Sequence, residues 1–154
     1  IVTRKPSGEF KLRALAGIGN FGSHKGEIHL DLPEFQDLSF KLDALVSRHD
    51  GTVDNPLAEA QDFNVADKRG LHAQVLWQPM EGFSADYSFD VSYDGSTPLY
   101  AQATSAGSLI RAPLTPVQPT RVDKTPVGAP QQLSVGKTHG HRLTLDWDSG
   151  PFAL

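Results

Sequence analysis

Strict alternation of apolar and polar residues is the clearest pattern in the chain. From Phe83 to Asp94, every odd position is apolar or aromatic and every even position is Ser or Asp. Successive side chains of a β-strand point to opposite faces, whereas a helix would spread these rings around its circumference. The pattern therefore predicts a strand with all of its rings on one face.

Five other segments alternate in the same way, for example Leu38 to Val46 and Leu71 to Trp77. Each predicted strand has one apolar and one polar face. The predicted strands lie at residues 9–18, 23–32, 38–49, 69–79, 83–94 and 134–147. The fold class predicted from this pattern is all-β, with an antiparallel up-and-down sheet.

The connections between these segments differ in length in a regular way. Tight turns near Pro33, Pro79 and Pro151 alternate with longer connections, of which 50–68 and 95–133 are the longest. In an up-and-down sheet every second connection lies at the same end, so the tight turns would gather at one end and the long loops at the other. This sorting is typical of outer-membrane barrels, and we expect a transmembrane β-barrel segment.

Aromatic positions on the apolar faces agree with a membrane location, because amphipathic rings favour the headgroup level of a bilayer. The predicted membrane girdles comprise Phe40, Trp77, Phe83 and Trp147 beside the tight turns, and Tyr93 at the opposite end. The predicted lumen-facing or plug-facing residues are Arg13, Glu27, Lys41, Asp43, His72, Gln74, Asp86 and Asp90. The alternative is that the aromatic residues form the packed core of a soluble β-sandwich.

Composition narrows the possible functions. The 154 residues carry a formal charge of -4 and include no cysteine, which excludes disulfides, thiolate zinc sites and thiol nucleophiles. The slight acidic excess disfavours a nucleic-acid partner. No segment approaches the roughly 18–20 consecutive apolar residues of a membrane-spanning helix, but a spanning strand needs only about 9–11 alternating residues.

The first residues resemble a known family. Ile1-Val2-Thr3-Arg4-Lys5-Pro6, followed by Gly8-Glu9-Phe10, is similar to the junction between plug and barrel in TonB-dependent outer-membrane receptors. Further short matches follow in the same order. They are Ser47-Arg48-His49-Asp50-Gly51, Asp62-Phe63-Asn64, Leu76-Trp77-Gln78-Pro79 and Phe83-Ser84.

The resemblance implies a fragment in which residues 1–6 end the plug and residues 7–154 begin a barrel of about 22 strands. It implies active import of a scarce solute, for which we expect a ferric siderophore, at the bacterial outer membrane. The implied partners are the TonB energy-coupling complex, acting through the plug, and the lipid bilayer with its lipopolysaccharide. A plugless porin-like barrel and a soluble β-sandwich that binds carbohydrate remain alternatives.

Candidate chemistry outside the barrel pattern is sparse. No Gly-x-Ser-x-Gly motif occurs, and Gly17 to Gly22 imitates a dinucleotide fingerprint without the helix that should follow it. We therefore expect neither an enzyme nor a cofactor. His139 and His141 have a spacing compatible with one metal ion, but no third ligand is evident, and no metal site is predicted.

The long connection is rich in basic residues, with Asp123 as the single acid between Gly95 and Arg142. Clustered positive charge raises the local concentration of an anionic ligand such as a ferric chelate. The predicted ligand-binding residues of this outer region are Arg111, Arg121, Lys124, His139 and His141.

Overall fold

A computed structural model describes residues 4–102, 117, 119–148 and 150. It has six strands, which are β1 (Lys11–Ile18), β2 (His24–Asp31), β3 (Leu38–His49), β4 (Ala66–Met80), β5 (Phe83–Ser96) and β6 (Ser134–Trp147). They form one antiparallel sheet in the order β1-β2-β3-β4-β5-β6. The prediction of an all-β, up-and-down sheet is confirmed.

The strand limits agree with the alternation in most places. β3 and β6 span the predicted residues, whereas β4 begins at Ala66, three residues earlier than predicted. β4 also continues through Pro79, which the sequence placed in the following turn. The pairing of β4 with β5 shifts register between Trp77 and Met80. A bulge at a strand end tolerates proline because no ladder donor is needed there.

Two tight turns lie at one end of the sheet. Gln36 and Asp37 join β2 to β3 with φ of 51° and 63°, and Phe35 and Leu38 exchange two backbone hydrogen bonds around them. A two-residue turn with positive φ matches the twist of antiparallel strands. Gly82, with φ of 77°, closes the turn from β4 to β5.

The long connections at the opposite end are bonded to one another. Asp54 N donates to Asp123 O, and Thr125 N donates to Asp54 O. The Asn55 side chain donates to the carbonyls of Gln61 and Ala129 and accepts from Ala129 N at 3.1 Å. The connection from β3 to β4 and the described part of the connection from β5 to β6 therefore form one hydrogen-bonded loop cap.

No helix of the described residues is both long and apolar enough to cross a membrane.

Candidate functional site: the two faces of the sheet

The polar face of the sheet carries most of the buried side chains of the strands, and Asp67 is the buried one on the apolar face. Strand pairing aligns Ser39, Leu76 and Asp86 in one row and Gln74 with Ser88 in the next, and all five are buried. Gln74 and Ser88 are only 2% and 1% exposed. Among the described residues, the buried hydrophobic side chains are Leu76 and Val53, which lies in the loop cap. The sheet therefore lacks the apolar core of an ordinary globular domain.

The apolar face is uncovered. Pairing aligns Leu12, Leu30, Leu42, Ala73 and Phe89 on this face. Leu143 is 62% exposed and Trp147 is 77% exposed. Other large apolar side chains of this face that are exposed are Ile28, Val46, Leu71, Trp77, Tyr87, Val91 and Leu145. The distribution of burial is thus the reverse of that in a soluble protein, in which apolar side chains are the buried ones.

A row of ionisable residues crosses the polar face through five strands. Pairing aligns Arg13, His29, Asp43, His72 and Asp90. His29 Nδ1 lies 2.7 Å from Asp43 Oδ1, and His72 Nδ1 lies 2.6 Å from Asp90 Oδ1. From His29 to Asp90 the row alternates imidazole and carboxylate, which lets each carboxylate share a hydrogen bond with an imidazole.

The remaining predicted lumen residues share this face. Lys41 Nζ lies 3.1 Å from Asp43 Oδ2, and Glu27 forms an ion pair with Lys25. Gln74 Nε2 donates to both carboxylate oxygens of Asp86, at 2.7 and 3.0 Å. The structure thus brings all eight predicted residues onto one face; that this face lines a lumen stays a prediction.

Three buried polar atoms on the same face have no partner among the described residues. They are His72 Nε2, Gln74 Oε1 and Ser88 Oγ. They lie together, because His72 precedes Gln74 by two positions on β4 and Gln74 pairs with Ser88. A buried polar group without a hydrogen bond is costly, so water or another polar surface is expected to contact this part of the face.

The segment before β1 lies against the polar face near the tight turns. Arg4 O accepts a hydrogen bond from Lys41 Nζ at 3.1 Å, and Ser7 N donates to Asp31 Oδ1 at 3.0 Å. Lys5 Nζ lies 3.8 Å from the Asp146 carboxylate of β6, and Pro6 is buried. Residues 4–7 therefore contact β2, β3 and β6, although the sequence pattern gave no sign of where this segment lies.

The predicted girdle residues lie on the apolar face at its two ends. Trp77 and Phe83 meet edge to face at 6.0 Å beside the tight turns, and Phe83 pairs with Trp147. Phe40 pairs with Val75 on the same face. Tyr93 lies toward the loop cap, with the Arg69 guanidinium 5.4 Å from its ring centroid. Their position relative to a membrane stays a prediction.

The predicted ligand residues do not form one cluster. Arg111 lies outside the described residues. The Arg121 guanidinium lies 5.8 Å from the ring centroid of Phe21, which lies between β1 and β2. Lys124 forms an isolated backbone β-bridge with Asp54 in the loop cap. His139 and His141 lie within β6 on the apolar face, where His141 Nδ1 lies 2.7 Å from Tyr87 OH. The two histidines therefore lie in a strand, apart from the loop cap, and ligand binding by any of these residues stays a prediction.

Sequence reasoning missed three leucines on the polar face and a set of cations on the apolar face. Leu15, Leu45 and Leu76 share the polar face with the charged row, while Arg48, Arg69 and Lys137 share the apolar face. Counting odd and even positions through each whole strand would have revealed both sets. No group of three or more His, Asp or Glu side chains suited to a metal ion occurs in the described part of the chain.

Comparison with known proteins adds no relative, because no protein family, curated protein or solved structure matches this chain.

Proposed function

We propose that the chain forms part of the wall of a transmembrane β-barrel in a TonB-dependent outer-membrane receptor. The observation that carries this proposal is the reversed burial of the sheet. Its apolar face exposes large apolar side chains on all six strands, and its polar face holds five of the six buried side chains of the described strands. A barrel in lipid has this arrangement, with apolar residues facing outward and polar residues facing the interior.

The energies of the two faces favour the same orientation. Uncovered apolar area costs about 25 cal/mol per Å² in water, and lipid removes that cost. A charged side chain facing lipid at the bilayer midplane costs about 2–4 kcal/mol, which disfavours turning the row from Arg13 to Asp90 outward. Contact of the apolar face with lipid and of the polar face with water or protein satisfies both requirements.

The height of the apolar face also fits a bilayer. Phe83 and Tyr93 are the aromatic residues nearest the two ends of this face on β5. Ten residues of antiparallel strand rise about 34 Å, and a strand tilt of about 40° reduces this to a height of about 26 Å. The apolar band of an outer-membrane barrel is about 25 Å tall.

One feature favours a receptor over a plugless barrel. The segment at residues 4–7 lies against the polar face, where a plug domain would lie, and it belongs to the motif that resembles the plug-to-barrel junction. In a barrel of either kind, further strands would have to cover the edges of β1 and β6, which are not paired with each other. The function proposed for the complete barrel is energised import of a ferric siderophore.

Spin labels on β5 test the orientation of the sheet. The chain has no cysteine, so Ala85→Cys, Val91→Cys, Asp90→Cys and Ser92→Cys would each carry one nitroxide. In reconstituted bilayers, we expect labels at 85 and 91 to collide with dissolved oxygen, and labels at 90 and 92 to collide with a water-soluble nickel chelate. Protection of 85 and 91 from both reagents would instead indicate a β-sandwich core and overturn the membrane proposal.

Uptake measurements test the transported solute. A bacterial strain lacking the complete protein should lose uptake of one ferric siderophore from a panel that also includes haem, cobalamin and oligosaccharides. Collapse of the inner-membrane proton gradient in the parent strain should abolish the same uptake. Uptake that survives this collapse would indicate passive diffusion through a porin-like barrel.

A further inference from the structure

Charged side chains on the apolar face are confined to the half of the sheet nearest the loop cap. On β3, β4 and β5, this face has no charged residue between the row of Met80 and Phe83, beside the tight turns, and the row of Leu71 and Val91. Beyond Leu71 the face becomes cationic. The charged residues of this cationic border are Arg48, Asp67, Arg69 and Lys137. Three cations and one carboxylate give it a net positive charge.

One of these cations is already paired. Arg69 donates to both carboxylate oxygens of Asp67, at 2.9 and 2.6 Å, and its guanidinium also lies over the Tyr93 ring. Arg48 lies 3.9 Å from Asp50, with both side chains more than half exposed, so that pair is weak. Lys137 is exposed and makes no ion pair within the described part of the chain. The border therefore retains positive charge that an external anion can meet.

An apolar groove leads to this charge. It has a volume of about 500 Å³. The paired row Ala44, Leu71, Val91 and His139 lines its lower part, and Arg69, Tyr93 and Lys137 line its upper end. The small side chain of Ala44 leaves space between larger neighbours. The groove thus offers a mainly apolar row below, with one imidazole at its side, and the two cations at its upper end.

We propose that this groove binds a phosphate-bearing lipid, with the phosphate at Lys137, beside the Arg69–Asp67 pair, and an acyl chain along Ala44, Leu71 and Val91. Charge complementarity selects an anionic headgroup, because phosphate is a strong acceptor for both ammonium and guanidinium groups. The groove is continuous with the apolar surface of the sheet. A lipid can place its acyl chain in the groove, whereas a free anion would gain no binding energy from the apolar lining. The inference rests on the proposed function, since it requires the apolar face to contact a bilayer.

Lipid titration of the full chain in neutral detergent tests the site. We expect dioleoyl phosphatidic acid to bind more tightly than dioleoyl phosphatidylcholine. Lys137→Gln should weaken phosphatidic acid binding about fivefold, which is the effect of one cation near an anionic headgroup. Lys68→Gln is the matched control, because Lys68 lies on the polar face of β4 and pairs with Asp94. It should leave lipid binding unchanged.

Ala44→Phe tests the groove separately from the charge. A phenyl ring in the groove should weaken binding of the long-chain lipid, whereas Ala85→Phe, on the same face near the tight turns, should not. Equal binding of the two lipids, or equal losses in Lys137→Gln and Lys68→Gln, would overturn the site. Full competition by inorganic phosphate would assign the cations to a free anion and would also overturn the lipid proposal.

The nitroxide pattern on β5 separates this inference from the proposed function. If the labels at 85 and 91 collide with oxygen but the chain shows no preference for phosphatidic acid, the barrel proposal stands and the lipid site is rejected. Protection of the labels at 85 and 91 from both reagents would overturn both the barrel proposal and the lipid site.

Discussion

Gly82 shows how one residue fixes the turn between β4 and β5. Its φ of 77° lies in the left-handed region, and a Cβ added there would lie 2.6 Å from the Asp148 carbonyl oxygen. The backbone approaches so closely because Asp148 N donates to Gly82 O at 2.7 Å. Glycine therefore permits both the turn and the contact that joins this turn to the end of β6.

Gly82→Ala should destabilise the sheet. The left-handed conformation alone costs an alanine about 1–2 kcal/mol, and the clash with Asp148 adds to it. Gly17→Ala is the control, because a Cβ at Gly17 meets nothing within 4 Å. Urea denaturation of both variants in detergent micelles should show a lower midpoint for Gly82→Ala than for Gly17→Ala. Equal midpoints would mean that the turn relaxes without cost.

At the scale of elements, Asn55 joins two connections that are far apart in sequence. Its side chain contacts Gln61 and Ala129, and its backbone N–H donates to Asp62 Oδ1 at 2.8 Å. The paired amide contacts with Ala129 resemble the exchange of bonds between strands, because one side chain both donates and accepts. The Asn55 side chain therefore makes two of the hydrogen bonds that join the two connections of the loop cap.

Asn55→Ala should loosen the loop cap while leaving the strands intact. Loss of these bonds leaves the backbone N–H and C=O of Ala129 without their present partner, at a cost of about 1–3 kcal/mol, whereas Gln61 O keeps its bond from Gln131 Nε2. Hydrogen exchange should accelerate in residues 119–133 and 54–62, with the amides of β3 to β5 unchanged. Asn20→Ala, a change of the same kind in the connection from β1 to β2, should leave that exchange unaltered. Unchanged exchange in Asn55→Ala would show that other bonds hold the cap.

The strands and their faces could be predicted from sequence because alternation acts over a few residues. β3 and β6 were placed correctly, and the predicted aromatic and lumen residues share the expected faces. The early start of β4 was missed because Asp67 and Lys68 do not continue the apolar alternation. The bonds of Asn55 and the position of residues 4–7 depend on contacts over long sequence separations, which no local pattern records.

At the scale of the whole molecule, the described residues expose a large apolar surface. The sheet has one uncovered apolar face and two unpaired edges, and contiguous apolar patches above a few hundred Å² indicate an interaction surface. Both features are hazards for aggregation in water. Lipid or detergent can cover the face, and neighbouring strands can cover the edges.

The full chain should therefore require detergent to remain dispersed. Sedimentation after refolding should show small particles in micelles of a neutral detergent and large aggregates after its removal. Refolding at high salt without detergent provides the control, because screening would disperse an aggregate held by charge but not one held by apolar contact. A cooperatively folding monomer in plain buffer would contradict the proposed lipid contact.

The even number of strands in the described part of the chain has a geometric consequence. β1 begins and β6 ends at the side of the tight turns, and the contact of Lys5 with Asp146 lies on that side. Each additional hairpin would add one tight turn at this side and one long loop at the other, so the parity of the sheet would be preserved. In the proposed barrel, hairpins could be gained or lost during evolution while the points where the chain enters and leaves the barrel stay on the same side.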